Sequence, residues 1–403
     1  MELKRLGDII KITSGGTPPK SKREYYDDGN IPWAKTGDLK VRHLSKIPDS
    51  ISQLGLDNSS AKIFPVNTVL IAMYGATIGN CSILKTSAAT NQACAALLPN
   101  EEVNEEFLFF FLSSIKSELI KKGVGGGQPN ISATILKDIK IPLPSLTDQI
   151  RIAGLLTQAE NLITQRKESI LLLDILLKST FVEKFIDIDF PLIKLHEISS
   201  KITDGEHAKP EYIETGMPFI SVKNISKGFL NFDDCKFVSE ESHAKFNKRC
   251  NPEFEDIIYT KVGATYGRAV VVKTTNPFSL YVSVALIKPD KTKVNSYFLK
   301  AAINHPFVKR QADKSIKGAG VPDLHLIEIK SFKIPFPPML QQIEFANLVE
   351  KVELLKSEYQ ASLKELENMY GVLSQKAFKG ELKVKEYTNN EVLGMVAETD
   401  GGY

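Results

Sequence analysis

Acidic residues and a lysine close to residue 325 are the first candidates for chemistry in this sequence. Asp323 follows a proline and precedes Glu328 and Lys330. This order of residue types binds Mg²⁺ in metal-dependent nucleases, where the lysine assists the attacking water. However, the spacing is short for a turn between two strands, and a related earlier segment has Asn130 and Ile135 in place of the two carboxylates. We therefore expect a chance similarity and no nuclease site.

Other patterns that could support catalysis are weaker. The loop Asn251-Pro252-Glu253-Phe254 differs by one residue from the N/D-P-P-F/Y loop that holds the target base in DNA methyltransferases, and no glycine-rich methyl-donor motif precedes it. The six histidines form no H-x-H or H-E-x-x-H pattern, and the four cysteines form no C-x-x-C pair. The sequence predicts no catalytic residue, no cofactor-binding site, no metal site and no disulfide framework.

Two glycine-bounded turns share the pattern G-A-T-x-G. They are Gly75-Ala76-Thr77-Ile78-Gly79 and Gly263-Ala264-Thr265-Tyr266-Gly267. Neither has the spacing of a dinucleotide-binding or phosphate-binding loop. We expect tight turns between buried strands, with glycines at positive φ. A phosphate contact at the second turn, next to Arg268, is the alternative. The glycine-rich segment 123–127 is expected to end a helix, with an anion cradle as the alternative.

Lysines and arginines on loop-like stretches are the candidate DNA contacts. Such side chains neutralise phosphates and can contact base edges in the major groove, although for any single residue a solvated surface charge is an equally open interpretation. The formal net charge is +3, and the positive excess lies in residues 1–147 and 187–337. The candidates are Lys20, Lys22, Arg23, Lys35, Lys40 and Arg42 in the first region, and Lys209, Lys223, Lys227, Lys245, Lys248, Arg249 and Arg268 in the second.

These residues are distributed over a unit that occurs twice. Segment 141–144 (IPLP) recurs at 334–337 (IPFP), the entry segment Leu3–Leu6–Ile9 recurs at Leu192–Leu195–Ile198, and the G-A-T-x-G turns occupy equivalent places between them. The repeat period is therefore roughly 190 residues. Such a period corresponds to one domain plus one helix and is too long for a solenoid repeat. The sequence therefore predicts a tandem duplication with pseudo-two-fold symmetry.

Each repeat is predicted to combine strands with helices at one end. In the first repeat, residues 66–73 and 81–84 are expected to form buried strands on either side of the turn, and residues 105–120 a helix. In the second, strands are expected near 257–259, 269–272 and 281–287, and a helix near 296–303. This composition favours an α+β fold.

A long helix follows each repeat, with apolar residues spaced alternately by three and four. Arg166 and Ser362 interrupt these heptad seams and could fix their register. A helix of roughly 38 residues spans about 57 Å, and two such helices in one chain can bury their stripes against each other as an antiparallel pair. The alternative is that each helix packs only on its own domain. The seam residues are Leu156, Ala159, Ile163, Ile170, Leu173, Leu177, Leu348, Val352, Leu355, Tyr359, Leu366 and Leu373. In the second helix the same spacing also includes Met369.

The composition fits a globular protein. With 403 residues, 42% hydrophobic and 25% charged, the chain can form two or three domains with their own cores. The longest apolar run is too short to span a bilayer. The N-terminal residues lack the apolar segment of a signal peptide, so we expect no membrane association and a cytoplasmic location.

Taken together, these blocks resemble the specificity subunits of Type I restriction–modification systems. The resemblance is carried by segment 141–144 with Gln149, by segment 334–337 with Gln341-Gln342, and by Ala377-Phe378-Lys379-Gly380-Glu381-Leu382, which ends the second helix. Gly127-Gln128-Pro129-Asn130 and the G-A-T-x-G turns add to it. It covers nearly the whole chain in the order of the family. The first helix departs from the pattern, because Ile186-Asp187 stands where the second has Lys379-Gly380.

The resemblance implies a particular organisation. Two mixed α/β target-recognition domains, residues 1–147 and 187–337, would be separated by a pair of long antiparallel coiled-coil helices, residues 148–186 and 338–382, and a flexible tail would follow at 383–403. Each domain would read one half of a split site in double-stranded DNA. The helices would set the gap between the halves and dock two copies of the methylation (M) subunit, which the restriction (R) subunit joins. Catalysis and cofactors would belong to these partners.

The interiors of the two repeats differ, for example at residues 33–36 and 219–222, so we expect an asymmetric target. Two alternatives remain at this point. One is a stand-alone nuclease or methyltransferase that uses Asp323, Glu328 and Lys330 or the Asn251 loop. The other is a protein scaffold that does not contact nucleic acid.

Overall fold

The computed structural model of the protein describes residues 2–123, 130–226, 228–316 and 320–382. The glycine-rich segment 124–127, the motif residues Gln128 and Pro129, the candidate DNA contact Lys227 and the segment 383–403 lie outside these ranges. The chain forms two compact units. Unit 1 consists of residues 1–167 and 361–403, and unit 2 of residues 168–360. Unit 1 is therefore built from two separate parts of the chain.

Unit 1 contains a five-stranded sheet, a four-stranded sheet and a two-stranded ribbon, with short helices around them. The strands are β1 Glu2–Arg5, β2 Ile12–Ser14, β3 Ile31–Ala34, β4 His43–Leu44, β5 Ser50–Ile51, β6 Ile63–Phe64, β7 Val69–Ala72, β8 Cys81–Leu84, β9 Ala88–Thr90, β10 Cys94–Leu97 and β11 Lys140–Leu143. The helices are α1 Leu6–Ile9, α2 Gln53–Asp57, α3 Glu105–Ser114, α4 Lys116–Lys122 and α5 Ala133–Lys137, with 3-10 turns at Arg23–Tyr25, Thr36–Asp38 and Gly75–Thr77. A long helix, α6 Leu146–Phe185, begins in this unit.

Unit 2 contains a four-stranded sheet, a three-stranded sheet and a two-stranded ribbon. Its strands are β12 Leu192–Lys194, β13 Ser199–Asp204, β14 Met217–Ile220, β15 Lys236–Val238, β16 Ile257–Thr260, β17 Ala269–Val271, β18 Ser279–Leu280, β19 Val284–Pro289 and β20 Lys333–Pro335. Its helices are α7 Val222–Ile225, α8 Glu240–Asn247, α9 Ser296–Asn304, α10 Pro306–Ser315 and α11 Leu326–Ser331, with a 3-10 turn at Leu195–Ile198. The second long helix, α12 Met339–Lys379, begins here.

The central strands β7 and β16 are buried at every position because both faces of each sheet are covered. In β7, Val69 and Ile71 face one buried cluster, whereas Leu70 and Ala72 face another. In β16, Ile257 and Tyr259 lie in one cluster and Ile258 in a second. This two-sided burial explains why the sequence shows continuous apolar runs rather than alternation.

The strand and turn predictions agree with the structure apart from their boundaries. The expected helix 105–120 is divided at Ile115 into α3 and α4. The glycines that bound the two G-A-T-x-G turns all have positive φ, from 66° at Gly75 to 92° at Gly267. The prediction of left-handed glycines at these turns is confirmed. A residue with a side chain would be strained at any of these four glycine positions.

Segments of the two long helices run antiparallel within each unit. In unit 1, Lys167 pairs with Glu367 and Glu160 contacts Tyr370. In unit 2, Asp174 pairs with Lys356, and the ring of Phe181 lies 5.5 Å from that of Phe345. In both cases residue numbers rise along one helix as they fall along the other. The prediction of an α+β chain with two similarly built domains and two long antiparallel helices is confirmed.

The predicted seam residues are buried or half-buried on the helices. Leu156, Ala159 and Val352 are the buried members, and the remaining ones are half-buried. Residues one position away, such as Leu162 and Leu172, are exposed. Towards the end of α12 the inward-facing residue is Tyr370, whereas Met369, which continues the sequence pattern, is exposed.

Candidate nucleic-acid interface

The strand register gives the main sheet of each unit two distinct ends. One end of the sheet is formed by Ser14, Ala72 and Cys94 in unit 1, and by Asp204, Thr260 and Val284 in unit 2. We call this end the loop end. At the opposite end, which we call the helix end, the chain leaves β10 and β19 towards α3 and α9. Each unit therefore has one sheet end that is available for loops and one that is near a long helix.

A buried glutamine attaches each long helix to the helix end. In unit 1 the Gln149 side chain accepts a hydrogen bond from the Asn104 backbone N–H at 2.9 Å and donates to the carbonyls of Glu102 and Pro144. In unit 2 the Gln342 side chain accepts from the Asn295 backbone N–H at 3.0 Å and donates to the carbonyl of Pro337. Both amides are fully buried.

The asparagines held by these glutamines cap the next helix. The Asn104 side chain accepts from two backbone N–H groups at the start of α3, and the Asn295 side chain does the same for α9. This satisfies N–H groups that a helix start leaves unpaired. Sequence analysis used Gln149 and Gln342 as motif residues but assigned them no role, because the backbone groups they bind are distant in sequence.

Arg42 is held against α6. Its guanidinium donates to Thr157 at 2.9 Å and to Glu160 at 3.2 Å, and it also pairs with Glu106. Its side chain is only 18% exposed. Burial raises the pKa of Glu160, and the opposing effects of Arg42 and of a hydrogen bond from Tyr370 do not cancel this increase. The structure therefore places Arg42 between the sheet and the helix, while its neighbour Lys40 is exposed.

A groove of about 770 Å³ lies beside Arg42 in unit 1. Lys40, His43, Lys167 and Tyr370 are among its lining residues. It combines the positive side chains of Lys40 and Arg42, which precede β4, with residues of both long helices.

The other candidate contacts of unit 1 surround an aromatic pair. The rings of Tyr26 and Trp33 are 6.0 Å apart, and the Lys35 ammonium lies 5.2 Å from the Trp33 ring while pairing with Asp49. Lys22 bonds to the hydroxyl of Tyr25 at 3.0 Å. Lys20, Lys22 and Arg23 are exposed. The structure thus brings these basic side chains to one aromatic-lined loop region that leads away from the loop end.

The candidate contacts of unit 2 lie on several loops and on helices α7 and α8. Lys209 and Lys223 are exposed on the segments after β13 and β14, and Lys245 and Lys248 are exposed on and just after α8. Arg268 donates a hydrogen bond to the carbonyl of Ser226.

Arg249 belongs to a charged cluster at the loop end of unit 2. Its NH2 group donates to the Asp204 carboxylate at 3.0 Å, to the Asp204 carbonyl at 2.9 Å and to the carbonyl of Gly205. His207 contacts the same carboxylate oxygen at 3.1 Å. Lys261 lies 3.6 Å from the other oxygen and 3.5 Å from Asp323. The side chains of Asp204 and Lys261 are both only 7% exposed.

The residues considered for catalysis are dispersed or engaged elsewhere. Asp323 forms an isolated bridge with Val262, beside Lys261, and Glu328 lies on α11. The Asn251 amide donates to Glu253 within its own loop at 2.8 Å. Within residues 2–123, 130–226, 228–316 and 320–382, no three His, Cys, Asp or Glu side chains are grouped to hold a metal ion.

Burial raises the pKa values of all four cysteine thiols, and most strongly at three of them. The pKa is about 11 at Cys81, and about 12 at Cys94 and Cys250. Because the thiolate is the nucleophile, these thiols have the character of core residues. None of the helices in the described ranges is both long and apolar enough to cross a membrane.

Comparison with known proteins shows the family. The family model described as "Type I restriction modification DNA specificity domain" matches residues 1–172 and again residues 191–368. The chain is 26% identical to the Type I restriction enzyme MjaIX specificity subunit of Methanocaldococcus jannaschii, over 96% of this chain and 94% of that protein. It is 22% identical to the EcoBI specificity subunit of Escherichia coli, over 96% of this chain and 87% of that protein.

Solved structures agree at the level of the fold. The S subunit of a Type I restriction–modification system from M. genitalium superposes with a TM-score of 0.57 at 17% identity, covering 96% of each chain. A chain from a study of complex assembly and conformational transition of the type I R-M system superposes with a TM-score of 0.64 at 18% identity, covering 94% of this chain and 98% of that one. Because the family model covers most of the sequence in two copies, the chain belongs to the family of specificity subunits of Type I restriction–modification systems.

Proposed function

We propose that this chain is the DNA sequence-recognition subunit of a Type I restriction–modification complex, and that each unit reads one half of a split, asymmetric site. The observation that carries this proposal is that two similar sheets present different residues at equivalent places. Ser14 and Met73 stand at the loop end of unit 1, where unit 2 has Asp204 and Lys261. A repeated scaffold with different side chains is suited to reading two different half-sites.

The recognition domains comprise residues 1–147 and 187–337 in this proposal. The exposed lysines and arginines around Lys20, Lys22 and Arg23 in the first domain, and around Lys245, Lys248 and Arg249 in the second, neutralise phosphates and reach base edges. Lys35, Lys40, Lys209, Lys223, Lys227 and Arg268 add positive charge near the duplex. Arg42 contributes mainly by holding the first domain against α6, because its charge is already paired with Glu160 and Glu106.

The long helices, which correspond to residues 148–186 and 338–382 of the proposed organisation, pair as a coiled coil, set the spacer and dock the methylation subunits. Each unit exposes its own apolar stripe on these helices. In unit 2 the stripe is formed by Leu171, Leu172, Ile175 and Leu176, and in unit 1 by Leu162, Met369 and Val372, all between 41% and 61% exposed. Exposed apolar side chains of this density mark protein contacts. One stripe per unit fits two copies of the M subunit.

Catalysis belongs to the partners in this proposal. The M subunits carry the methyl donor and the catalytic residues, the R subunit joins the complex for cleavage, and this chain contributes no cofactor site. The complex acts on double-stranded DNA in the cytoplasm.

The test is a methylome. This chain and its cognate M subunit are co-expressed in a strain without other adenine or cytosine methylation, and modified bases are mapped by single-molecule sequencing. We expect one split motif with two unlike halves, seen only when both proteins are present, and a purified complex with two M subunits per chain. A stable complex without new methylation, or a motif whose halves are identical inverted repeats, would contradict the proposal.

A further inference from the structure

We propose that two glutamates on the long helices, Glu160 and Glu353, are positioning residues that fix the number of unread base pairs between the two half-sites. This inference rests on the proposed function, in which the long helices set that spacer, and it names the side chains that make the spacer exact. Each glutamate binds cationic side chains from the strands and short helices of its own unit. It thereby fixes the angle at which that part of the unit meets the long helix.

A spacer of one defined length requires a rigid join between the sheet of each unit and its long helix. One turn of DNA contains about 10–10.5 base pairs over about 34–36 Å. One base pair more or fewer therefore displaces a half-site by about 3.4 Å and rotates it by about 35°. A protein that distinguishes such spacers must resist tilts of its reading surface on this scale.

Each long helix is attached to its unit at two places on one face. The first is the buried glutamine at the start of the helix, Gln149 or Gln342. The second is the glutamate, which follows the glutamine by eleven residues in both units. Three helical turns take about eleven residues and span about 16 Å, so both side chains lie on the same face. The glutamine alone would leave the helix free to pivot, whereas a second attachment at this distance fixes its tilt.

In unit 1 the second attachment is made by Arg42, which directly precedes the edge strand β4. The Arg42 carbonyl accepts a hydrogen bond from the Ile83 backbone N–H at 2.7 Å, so its main chain is bound to β8. Its guanidinium lies 5.2 Å from the centre of the Phe110 ring and donates to Glu160 at 3.2 Å. The other Glu160 oxygen accepts from the hydroxyl of Tyr370 on α12 at 3.4 Å. Glu160 thus joins the sheet to both long helices.

In unit 2 two lysines make the equivalent attachment from other elements. Lys300 on α9 lies 3.3 Å from one Glu353 oxygen, and Lys273, which follows the edge strand β17, pairs with the other. The side chains of Lys300 and Glu353 are only 24% and 28% exposed, so solvent screens their attraction less than at an open surface. The glutamate occupies the same helix position in both units, whereas its cations come from different elements. The contact is thus formed twice by different residues, which favours a function for the contact itself.

The experiment measures methylation of DNA duplexes by the purified complex of this chain with its cognate M subunit. The duplexes carry both half-sites of the wild-type methylome, with the natural spacer or with one base pair more or fewer. Spacer discrimination is the ratio of the methylation rates on the natural and altered duplexes. We expect Glu160→Ala and Glu353→Ala each to lower this ratio about 5- to 150-fold, the range of a typical coupling between two sites. Base preference within each half-site should not change.

The matched controls are Glu365→Ala and Glu358→Ala, which remove exposed glutamates of α12 in unit 1 and in unit 2. They should change spacer discrimination by less than about 2-fold. Alanine is the best helix former, so all four alanine variants retain the long helices. Arg42→Met and Lys300→Met remove the same contacts from the other partner and keep an apolar stem. They should relax the same spacer, and they decide the result for a unit whose alanine variant does not fold.

The outcomes separate the inference from the proposed function. If the wild-type complex yields no split motif, the proposed function fails and the inference falls with it. If it yields one, and the alanine and methionine variants discriminate between spacers as the wild type does, only the inference is overturned. Equal relaxation in the two control variants would also overturn it, as would altered base preference in a half-site with the spacer still fixed.

Discussion

Two buried amides, Gln149 and Gln342, each connect the start of a long helix to the start of a shorter helix in the same unit. A buried glutamine is costly unless its oxygen and nitrogen are both paired, and here both are. The amide binds backbone groups, so the join does not depend on which side chains vary on the surrounding loops. The loop residues of a unit can therefore change without changing how the unit is attached to its helix.

Gln149→Leu should reduce the free energy of unfolding of unit 1 by about 2–4 kcal/mol, because it leaves one N–H and two carbonyl groups unpaired in the core. Trp33 is the single tryptophan of the chain and lies in unit 1, so its fluorescence during urea unfolding reports this unit. The control is Gln158→Leu, which changes an exposed glutamine on α6 in the same unit and should have an effect below about 0.5 kcal/mol. Equal effects of the two variants would refute the role of the amide.

At this scale the sequence predicts what depends on neighbouring residues. The positive φ of Gly75 and Gly263 follows from a local pattern, and it was predicted. The contacts of Gln149 with Glu102 and Asn104, and the pairing of Asp204 with Arg249, join residues more than 40 positions apart. No local pattern encodes such a distance, so these roles became visible only in the fold. Arg42 was similarly a candidate by charge, and its contact with α6 required the structure.

The long helices show how one helix position behaves in two environments. Glu160 on α6 and Glu353 on α12 occupy equivalent places, 193 residues apart. Burial raises the pKa of Glu160, and Arg42 does not offset this. Burial also acts to raise the pKa of Glu353, but Lys300 and Lys273 together outweigh it and hold the pKa below its usual value. The two carboxylates should therefore respond to acid in opposite ways.

Glu353→Gln and Glu160→Gln should change the pH dependence of stability in opposite directions. A folded-state pKa below the unfolded value means that ionised Glu353 stabilises unit 2 above the unfolded pKa, and this contribution is lost as the pH falls through the folded-state pKa. Glu160 has the opposite shift, so its ionisation opposes folding at neutral pH and stability is recovered as the pH falls.

The measurement is urea unfolding at pH 7 and pH 4, with Trp33 fluorescence for unit 1 and hydrogen exchange for unit 2. The stability difference, wild type minus variant, should shrink between pH 7 and pH 4 for Glu353→Gln and grow for Glu160→Gln. The same sign of change in both variants would contradict the assigned pKa directions.

The helices also show the limit of pattern analysis at the scale of elements. The three–four spacing correctly indicates two long helices with narrow buried faces, because apolar periodicity follows from helix geometry. The pattern places Met369 inwards, whereas Tyr370 lies there and contacts Glu160. A tyrosine can occupy a buried helix position when its hydroxyl has a polar partner. The spacing of apolar residues alone does not predict such a position.

At the scale of the molecule, the core of unit 1 includes residues from the end of α12, more than 200 positions after most of the unit. Ala377 is fully buried in its main core cluster, and Tyr370, Leu373 and Phe378 pack against the same cluster. The Phe378 ring lies 5.4 Å from that of Phe107. Unit 1 is therefore completed by the end of the second long helix.

Truncation after Gln360 should destabilise unit 1 and spare unit 2. The loss of several core side chains is expected to cost more than about 3 kcal/mol, so the urea midpoint reported by Trp33 should fall, while hydrogen-exchange protection within residues 168–360 is retained. Truncation after Leu382 is the control and keeps every unit 1 residue named above. An unchanged Trp33 midpoint after the shorter truncation would show that unit 1 is complete without its second segment.

The split composition of unit 1 has a consequence for how the protein is made. Unit 2 is one continuous stretch of chain and can fold as soon as it leaves the ribosome. Unit 1 begins first, yet its last core residues follow about 200 residues later, which is roughly ten to forty seconds of synthesis. Unit 1 is thus translated before unit 2 but completed after it. Its apolar surface around Phe107 stays uncovered until the end of α12 has been synthesised.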